Sequence, residues 1–317
     1  MALVGYDTPS AGLADECELV ESEADCLHGL RYGQQLGWST FDGGFATVHQ
    51  VMDESTGHLC AVKTFTWRSC SGSRKRGPFG RHNATRLLEE VGMWARARHP
   101  NVAQLLGFGA SDGRLLVQME LAALGSLDSF LDCFGPMQAA HIVTAARDVL
   151  DGLDYLHTLE PAIVHGNLRG ASVLIQTGSR MQLSDVGLFE LRGERIGACE
   201  DLKRLAWTAP EVVIASVSAA KKGALLGGRP RAPETTQDMW SFGCLIIEMS
   251  TAKRPWVELP LAAVQAALRR SLAPAVPEEL PRLAQDPVRR CLSRRTSGRP
   301  TAQELKGHRL WALEAEG

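Results

Sequence analysis

The sequence lacks any apolar run of about 20 residues, the length that a helix needs to cross a bilayer. Its first residues, MALVGYDTPS, lack the basic-then-apolar order of a signal peptide. Neither sign of charge dominates, since 34 basic residues face 36 acidic ones and leave a formal net charge of -2. The global cationic field of a dedicated nucleic-acid binder is therefore missing. These absences predict a soluble, cytoplasmic protein, with the nucleus as the alternative compartment, no membrane span and no nucleic-acid partner.

Paired cysteines are also missing. The eight cysteines lie singly at positions 17, 26, 60, 70, 133, 199, 244 and 291. Zinc sites and redox dithiols need closely spaced cysteines, whereas scattered cysteines in a chain of this size behave as small buried hydrophobes. We therefore expect reduced thiols rather than metal ligands.

The 317 residues allow two domains or one two-lobed unit, and a hydrophobic content of 44% suffices for a sizeable core. The first thirty residues carry seven acidic side chains and no lysine or arginine, which predicts a solvated extension over 1–32. Sequence typical of strands over 33–122 is followed by sequence typical of helices over 123–311 and by a tail over 312–317. The predicted fold class is α+β, with a small β-rich lobe followed by a larger helical lobe.

Local periodicity supports this division. Alternating apolar residues predict two strands joined by a turn at 54–57, and helical spacing over 84–99 places Leu87, Val91 and Trp94 on one face. The other predicted strands are 102–108, 114–121, 173–176 and 181–184, and the other predicted helices are 136–157, 240–250 and 261–272. Two basic, glycine-rich stretches at 68–82 and 221–231 predict surface loops of unassigned role.

A glycine turn followed by a strand lysine is the first candidate site. The turn Phe41–Val48 contains Gly43 and Gly44 and ends thirteen residues before Ala61, which opens Ala-Val-Lys63. Backbone amides in such a turn can approach phosphates, and a nearby cation can neutralise them. Glu90 follows Lys63 by 27 residues on the predicted helix and can hold the lysine in an ion pair. The alternative interpretation is a salt bridge that only ties the lobe together.

From about residue 33 to residue 311, the order of motifs resembles that of a eukaryotic protein kinase. The matching segments are Ala61-Val62-Lys63, Glu90, the hinge region Met119–Ala122, the catalytic loop His165–Ser172, Asp185-Val186-Gly187, Ala209-Pro210-Glu211, Asp238–Gly243 and Arg299-Pro300. The motifs His-Gly-Asn-Leu-Arg-Gly-Ala and Trp-Thr-Ala-Pro-Glu most resemble those of the tyrosine-kinase-like group. The resemblance implies a bilobal kinase fold that binds ATP with Mg²⁺.

The resemblance also assigns roles to individual positions. Those implied to contact ATP are Gly43, Gly44, Ala46, Val48, Ala61, Lys63, Met119, Glu120, Ala122 and Leu174. Asp185 is implied to hold one Mg²⁺, with Ser172 as a weak second ligand. Asp238 is expected to cap the catalytic-loop backbone, and Glu211 to form a buried ion pair with Arg299.

The catalytic loop departs from the family pattern at two decisive positions. Asn167 stands where an active kinase has its aspartate base, and a neutral amide takes up no proton near neutral pH. Ser172 stands where the metal-binding asparagine is expected and offers a poorer ligand. Gly166 replaces the arginine that receives an activating phosphate, and residues 188–207 contain no Ser, Thr or Tyr.

These departures predict a pseudokinase that binds ATP, with one Mg²⁺ ion at most, and acts as a scaffold or allosteric regulator toward an unidentified protein partner. The alternative is an active serine/threonine kinase that tolerates Asn167. A structural domain without nucleotide and a small-molecule phosphotransferase remain further alternatives, the latter disfavoured by Ala209-Pro210-Glu211.

Overall fold

Two compact units make up the chain. A computed structural model describes residues 29–41, 44–67, 81–111, 114–188, 204–221, 234–308 and 310. The first unit takes in residues 1–96 and 104–121, and the second takes in 97–103 and 122–317. The division therefore falls at Leu121, one residue earlier than the sequence indicates.

The first unit contains one antiparallel sheet and one helix. Its elements are β1 (Leu30–Phe41), β2 (Gly44–Asp53), β3 (Leu59–Trp67), α1 (Arg81–Arg96), β4 (Leu105–Ser111) and β5 (Arg114–Glu120). The strands lie in the order β1-β2-β3-β5-β4. The predicted turn between β2 and β3 is confirmed, because the Asp53 carboxylate accepts from the Ser55 amide at 2.8 Å and Gly57 takes a φ of +72°.

The α1 helix buries the face that its spacing predicts. Leu87, Val91 and Trp94 are all buried, and α1 contacts β4. The helix begins three residues before the predicted start. Most of the first basic stretch, residues 68–80, lies outside the described residues.

The second unit is mainly helical. Its elements are α2 (Leu127–Phe134), α3 (Ala139–Thr158), β6 (Val173–Ile175), β7 (Met181–Leu183), α4 (Pro210–Lys221), α5 (Thr235–Thr251), α6 (Leu261–Arg269), α7 (Arg282–Cys291) and α8 (Ala302–Lys306). Helix α5 is central to this unit, because every residue from Asp238 to Met249 is buried. Together, the sheet of the first unit and the helices of the second confirm the predicted α+β class. Among the helices that the structure describes, none has the length and apolarity to cross a bilayer.

The segment 97–103 belongs to the second unit because its backbone pairs with β7. The Leu183 amide donates to Asn101, and the Ala103 amide donates to Leu183, both at 2.9 Å. These bonds explain why β4 begins at Leu105 rather than at Val102. In the second basic stretch, Lys221 is the last residue of α4, and 222–233 fall outside the described residues.

Arg299 and Glu211 form the expected buried ion pair between the end of the chain and α4. The guanidinium donates from Nη1 to Oε1 at 2.7 Å and from Nη2 to Oε2 at 2.9 Å. The arginine side chain is 0% exposed and the glutamate side chain 26%. The Arg299 guanidinium also lies 5.1 Å from the centre of the Trp240 ring. The bidentate geometry and burial make this pair a strong anchor for the start of α4.

Replacing Glu211 should destabilise the second unit severely. In Glu211→Ala the Arg299 guanidinium stays buried without its counter-charge, so we expect a loss of about 3–5 kcal/mol in the free energy of unfolding. Urea denaturation measures this loss, and Glu278→Ala, at an exposed carboxylate, is the matched control. Equal stabilities for the two variants would contradict the prediction.

Candidate active site

Most of the predicted ATP-contacting positions in the first unit share one face of the sheet. In register, Val48 lies opposite Lys63 and Ala61 opposite Met119. Because side chains alternate along a strand, Gly44 and Ala46 project to the same face as Val48. The Ala46, Ala61 and Met119 side chains are buried, whereas Lys63 is half-buried. Among these predicted positions on the sheet, Lys63 carries the cation, and the others named here are apolar.

The remaining nucleotide positions are distributed as follows. Glu90 lies on α1 and is half-buried, while Gly43 is outside the described residues. The Glu120 carboxylate ends β5 and accepts from the Gln104 amide at 3.1 Å, so this side chain fixes the end of the sheet. Ala122 and Leu174 belong to the second unit and are half-buried.

The catalytic loop is organised by Asp238, a fully buried carboxylate on α5. Its Oδ2 accepts from the His165 amide at 2.8 Å and its Oδ1 from the Gly166 amide at 2.7 Å. His157 Nε2 lies 2.8 Å from the same Oδ2. Burial alone would raise the pKa of Asp238, but the bonds and charges of the histidines and the Gly166 amide hold it below its ordinary value. The expected capping role is confirmed.

Asn167 is held in the loop through its backbone. Its amide donates to His165 Nδ1 at 3.2 Å, and its carbonyl accepts from the Ser172 hydroxyl at 2.7 Å. The preceding Gly166 takes a φ of +69°, a conformation that side-chain-bearing residues rarely adopt. The position at which the sequence predicts the catalytic base thus lies in a well-bonded loop and carries an amide.

Ser172 stabilises the loop in a way that the sequence does not reveal. The side chain is 0% exposed, and its hydroxyl also accepts from the Arg169 amide at 3.1 Å. The Ser172 carbonyl accepts from the amide and the hydroxyl of Ser184, at 2.8 and 3.1 Å. Ser172 therefore links the catalytic loop to the residue before Asp185. The sequence signal for this role is the serine itself, because its short hydroxyl side chain can bond to nearby backbone and close a tight turn.

Asp185 has a strained backbone, with a φ of +59°, and the residue is 8% exposed. Two residues later, Gly187 has a φ of +71° and donates its amide to the His165 carbonyl at 3.0 Å. Such strain persists only where the surroundings enforce it, and it concentrates at functional sites. A carboxylate is a suitable ligand for Mg²⁺. No group of three or more metal-ligating side chains occurs within the described residues.

Glu248 is a functional-site residue that the sequence analysis missed. This α5 residue is 7% exposed, and its Oε2 accepts from the Gly170 amide at 2.9 Å and from Trp207 Nε1 at 2.8 Å. A Cβ at position 170 would lie only 2.8 Å from Glu248 Oε1, which explains the glycine. Burial raises the pKa of Glu248 to about 7. One carboxylate therefore joins the catalytic loop to the segment before Ala209-Pro210-Glu211.

Comparison with known proteins identifies the family. Residues 32–311 match the family model described as the protein kinase domain, so the chain belongs to the protein kinase family. This match confirms the kinase resemblance and, with it, the bilobal α+β fold class.

The similar curated proteins are larger kinases. The chain is 31% identical over 283 residues to mitogen-activated protein kinase kinase kinase ANP1 of Arabidopsis thaliana, covering 88% of this chain and 39% of that protein. It is 31% identical over 286 residues to mitogen-activated protein kinase kinase kinase 1 of Homo sapiens, and the match covers 87% of this chain and 17% of that protein. It is 29% identical over 290 residues to mitogen-activated protein kinase kinase kinase YODA of Arabidopsis thaliana, and the match covers 90% of this chain and 30% of that protein. The chain thus spans less than half the length of these relatives. The assignment to the tyrosine-kinase-like group stays a prediction.

Glu248 should make stability depend on pH. The folded chain keeps this carboxyl protonated up to about pH 7, whereas the unfolded chain releases the proton near the ordinary value of 4.5. The folded state therefore binds more protons across this window, and its stability falls as the pH rises from 4.5 to 7. The displacement corresponds to roughly 3 kcal/mol.

In Glu248→Gln this contribution should disappear, because an amide does not titrate in this range. Urea denaturation of the variant and the unsubstituted chain at several pH values measures the difference. The control is Glu279→Gln, at an exposed position. Parallel stability curves for Glu248→Gln and the unsubstituted chain would show that Glu248 does not titrate as proposed.

Proposed function

We propose that this chain is a pseudokinase that binds ATP with one Mg²⁺ ion, transfers phosphate weakly or not at all, and acts as a signalling scaffold or allosteric regulator. The observation that carries the proposal is Asn167 at the position of the catalytic base. An amide accepts no proton from an incoming hydroxyl, and losing a positioned general base costs about 10²–10⁴-fold in rate. The hydrogen bonds around Asn167 leave the loop well ordered, so the expected defect is chemical rather than structural.

Nucleotide binding is supported by the residues that remain. Lys63 occupies one face of the sheet, Glu90 supplies a carboxylate on α1, and Asp185 supplies a ligand for a metal ion in the second unit. When bound, Mg²⁺ would neutralise charge on the phosphate oxygens. The burial of Ser172 and the engagement of its hydroxyl within the loop support a single ion rather than two.

A regulatory role is supported by how the end of the activation segment is anchored. Gly166 offers no guanidinium to a phosphate, and residues 188–207 have no hydroxyl to modify. Trp207 is instead bonded to Glu248, and Glu211 to Arg299. These contacts hold the described end of the segment without phosphorylation, as suits a domain whose output is its conformation.

The second candidate is an active serine/threonine protein kinase acting on protein hydroxyls. It is favoured by the relatives, which are named mitogen-activated protein kinase kinase kinases. Phosphoryl transfer depends mainly on positioning and charge neutralisation, so a chain with Lys63, Glu90 and Asp185 retains part of the machinery. A domain that binds no nucleotide is the third candidate.

ATP with Mg²⁺ should raise the melting temperature of the chain. A ligand at 100 times its dissociation constant adds about 2.7 kcal/mol to the stability of the state that binds it. Differential scanning fluorimetry measures the shift. Lys63→Ala should abolish it, whereas Lys253→Ala, at an exposed lysine, should leave it intact. If ATP leaves the unsubstituted chain unshifted, the nucleotide-free domain is the correct interpretation.

Restoring the carboxylate should restore chemistry. For Asn167→Asp we expect transfer of the ATP γ-phosphate to a protein substrate to rise by about 10²–10⁴-fold, because the site regains its base. Asn167→Ala is the matched control and should transfer no faster than the unsubstituted chain. Brisk transfer by the unsubstituted chain that Asn167→Asp fails to increase would favour the active-kinase candidate.

A further inference from the structure

Ser297 is an exposed hydroxyl in the turn between α7 and α8. Both Ser297 and the following Gly298 are exposed. Within the described part of the chain, the Ser297 hydroxyl makes no hydrogen bond, unlike the buried hydroxyls of Ser172 and Ser184. A hydroxyl of this kind has no evident structural task.

The surroundings of Ser297 are strongly basic. Arg294 and Arg295 precede it by three and two positions and are exposed, as are Arg289 and Arg290 at the end of α7. From Arg289 to Thr301 the chain contains no acidic residue. Protein kinases distinguish substrates by charge patterns, and acidic grooves recognise guanidinium groups through charge-assisted hydrogen bonds.

We propose that Ser297 is a phosphorylation site for an arginine-directed protein kinase, with Arg294 and Arg295 as the recognised cations. In this reaction the Ser297 Oγ attacks the γ-phosphorus of ATP bound to the acting kinase. The new O–P bond forms as the bond to ADP breaks, and the hydroxyl proton passes to the base of that kinase.

Other serines near arginines fit this reaction less well. Ser172 follows Arg169 by three residues but is fully buried. Ser271 follows Arg269 and Arg270 directly, but it is half-buried with a φ of +52°. Ser293 is half-buried as well, so Ser297 combines exposure with a paired upstream charge.

Access to an enzyme requires the turn around Ser297 to open. Two main-chain bonds close it, from the Gly298 amide to Arg295 at 2.9 Å and from the Arg299 amide to Thr296 at 3.1 Å. The Arg299 side chain would stay anchored on Glu211 while these bonds open. Short exposed turns with few buried contacts belong to the parts of a fold that open most readily.

The modification would change charge without changing the fold. A phosphoserine carries a charge of about -1.5 to -2 at neutral pH, which offsets the two exposed guanidinium groups of Arg294 and Arg295. Arg299 is already paired with Glu211 and buried, so the new phosphate has nearer and freer partners. Phosphorylation would therefore neutralise one basic corner of the second unit.

The test is phosphorylation of the full folded chain by the catalytic subunit of cyclic-AMP-dependent protein kinase, used as an arginine-directed probe with ATP and Mg²⁺. Mass spectrometry of the peptide that contains Ser297 should show one added phosphate, above the background of a reaction without the probe. Ser297→Ala should lose it while keeping its melting temperature. The Arg294→Gln, Arg295→Gln double variant should slow it at least tenfold, whereas Arg289→Gln should not.

Two results would overturn the proposal. One is labelling of a synthetic peptide spanning 289–301 without labelling of the folded chain, because the turn would then be closed to a kinase. The other is a rate that the double arginine variant leaves unchanged. Since the readout is independent of ATP binding by this chain, it stands apart from the pseudokinase proposal.

Discussion

The buried carboxylate of Asp238 is the interaction on which the arrangement of the catalytic loop depends. It sits on the central helix α5 and collects the amides of His165 and Gly166 together with the His157 ring. Because the Gly187 amide in turn bonds to the His165 carbonyl, this organisation extends to the strained backbone of Asp185. Buried ionised groups are costly unless they are fully bonded. Here two of the bonds go to the loop, and the third ties Asp238 to His157 on α3.

Helix α5 also carries Glu248, so one buried helix controls both ends of the loop. Asp238 holds its beginning, and Glu248 holds Gly170 and Trp207. The ion pair of Arg299 with Glu211 anchors the start of α4, which follows the segment that contains Trp207. The scaffold of a protein kinase domain thus surrounds a loop in which Asn167 carries a neutral amide.

Local patterns in the sequence predicted much of the fold and the outline of the site. The hairpin at Asp53 and the buried face of α1 follow from alternation and helical spacing, and the Glu211–Arg299 pair follows from motif order. Helix α2 was not predicted, because its eight residues span only about two turns, which is too few to show a helical period. Glu248 was missed because its partner Gly170 is 78 residues away, and Ser172 because its burial is set by tertiary packing. Such long-range contacts leave no local signal.

At Gly166 the conformation of the backbone and the choice of residue are directly connected. Its φ of +69° suits glycine, and an arginine returned to this position would adopt a left-handed conformation at a cost of about 1–2 kcal/mol. Glycine therefore suits this backbone conformation without strain, and it offers no cation to a phosphate. Control of this loop by a phosphate would need both an arginine at position 166 and a hydroxyl among residues 188–207, so a single substitution would not supply it.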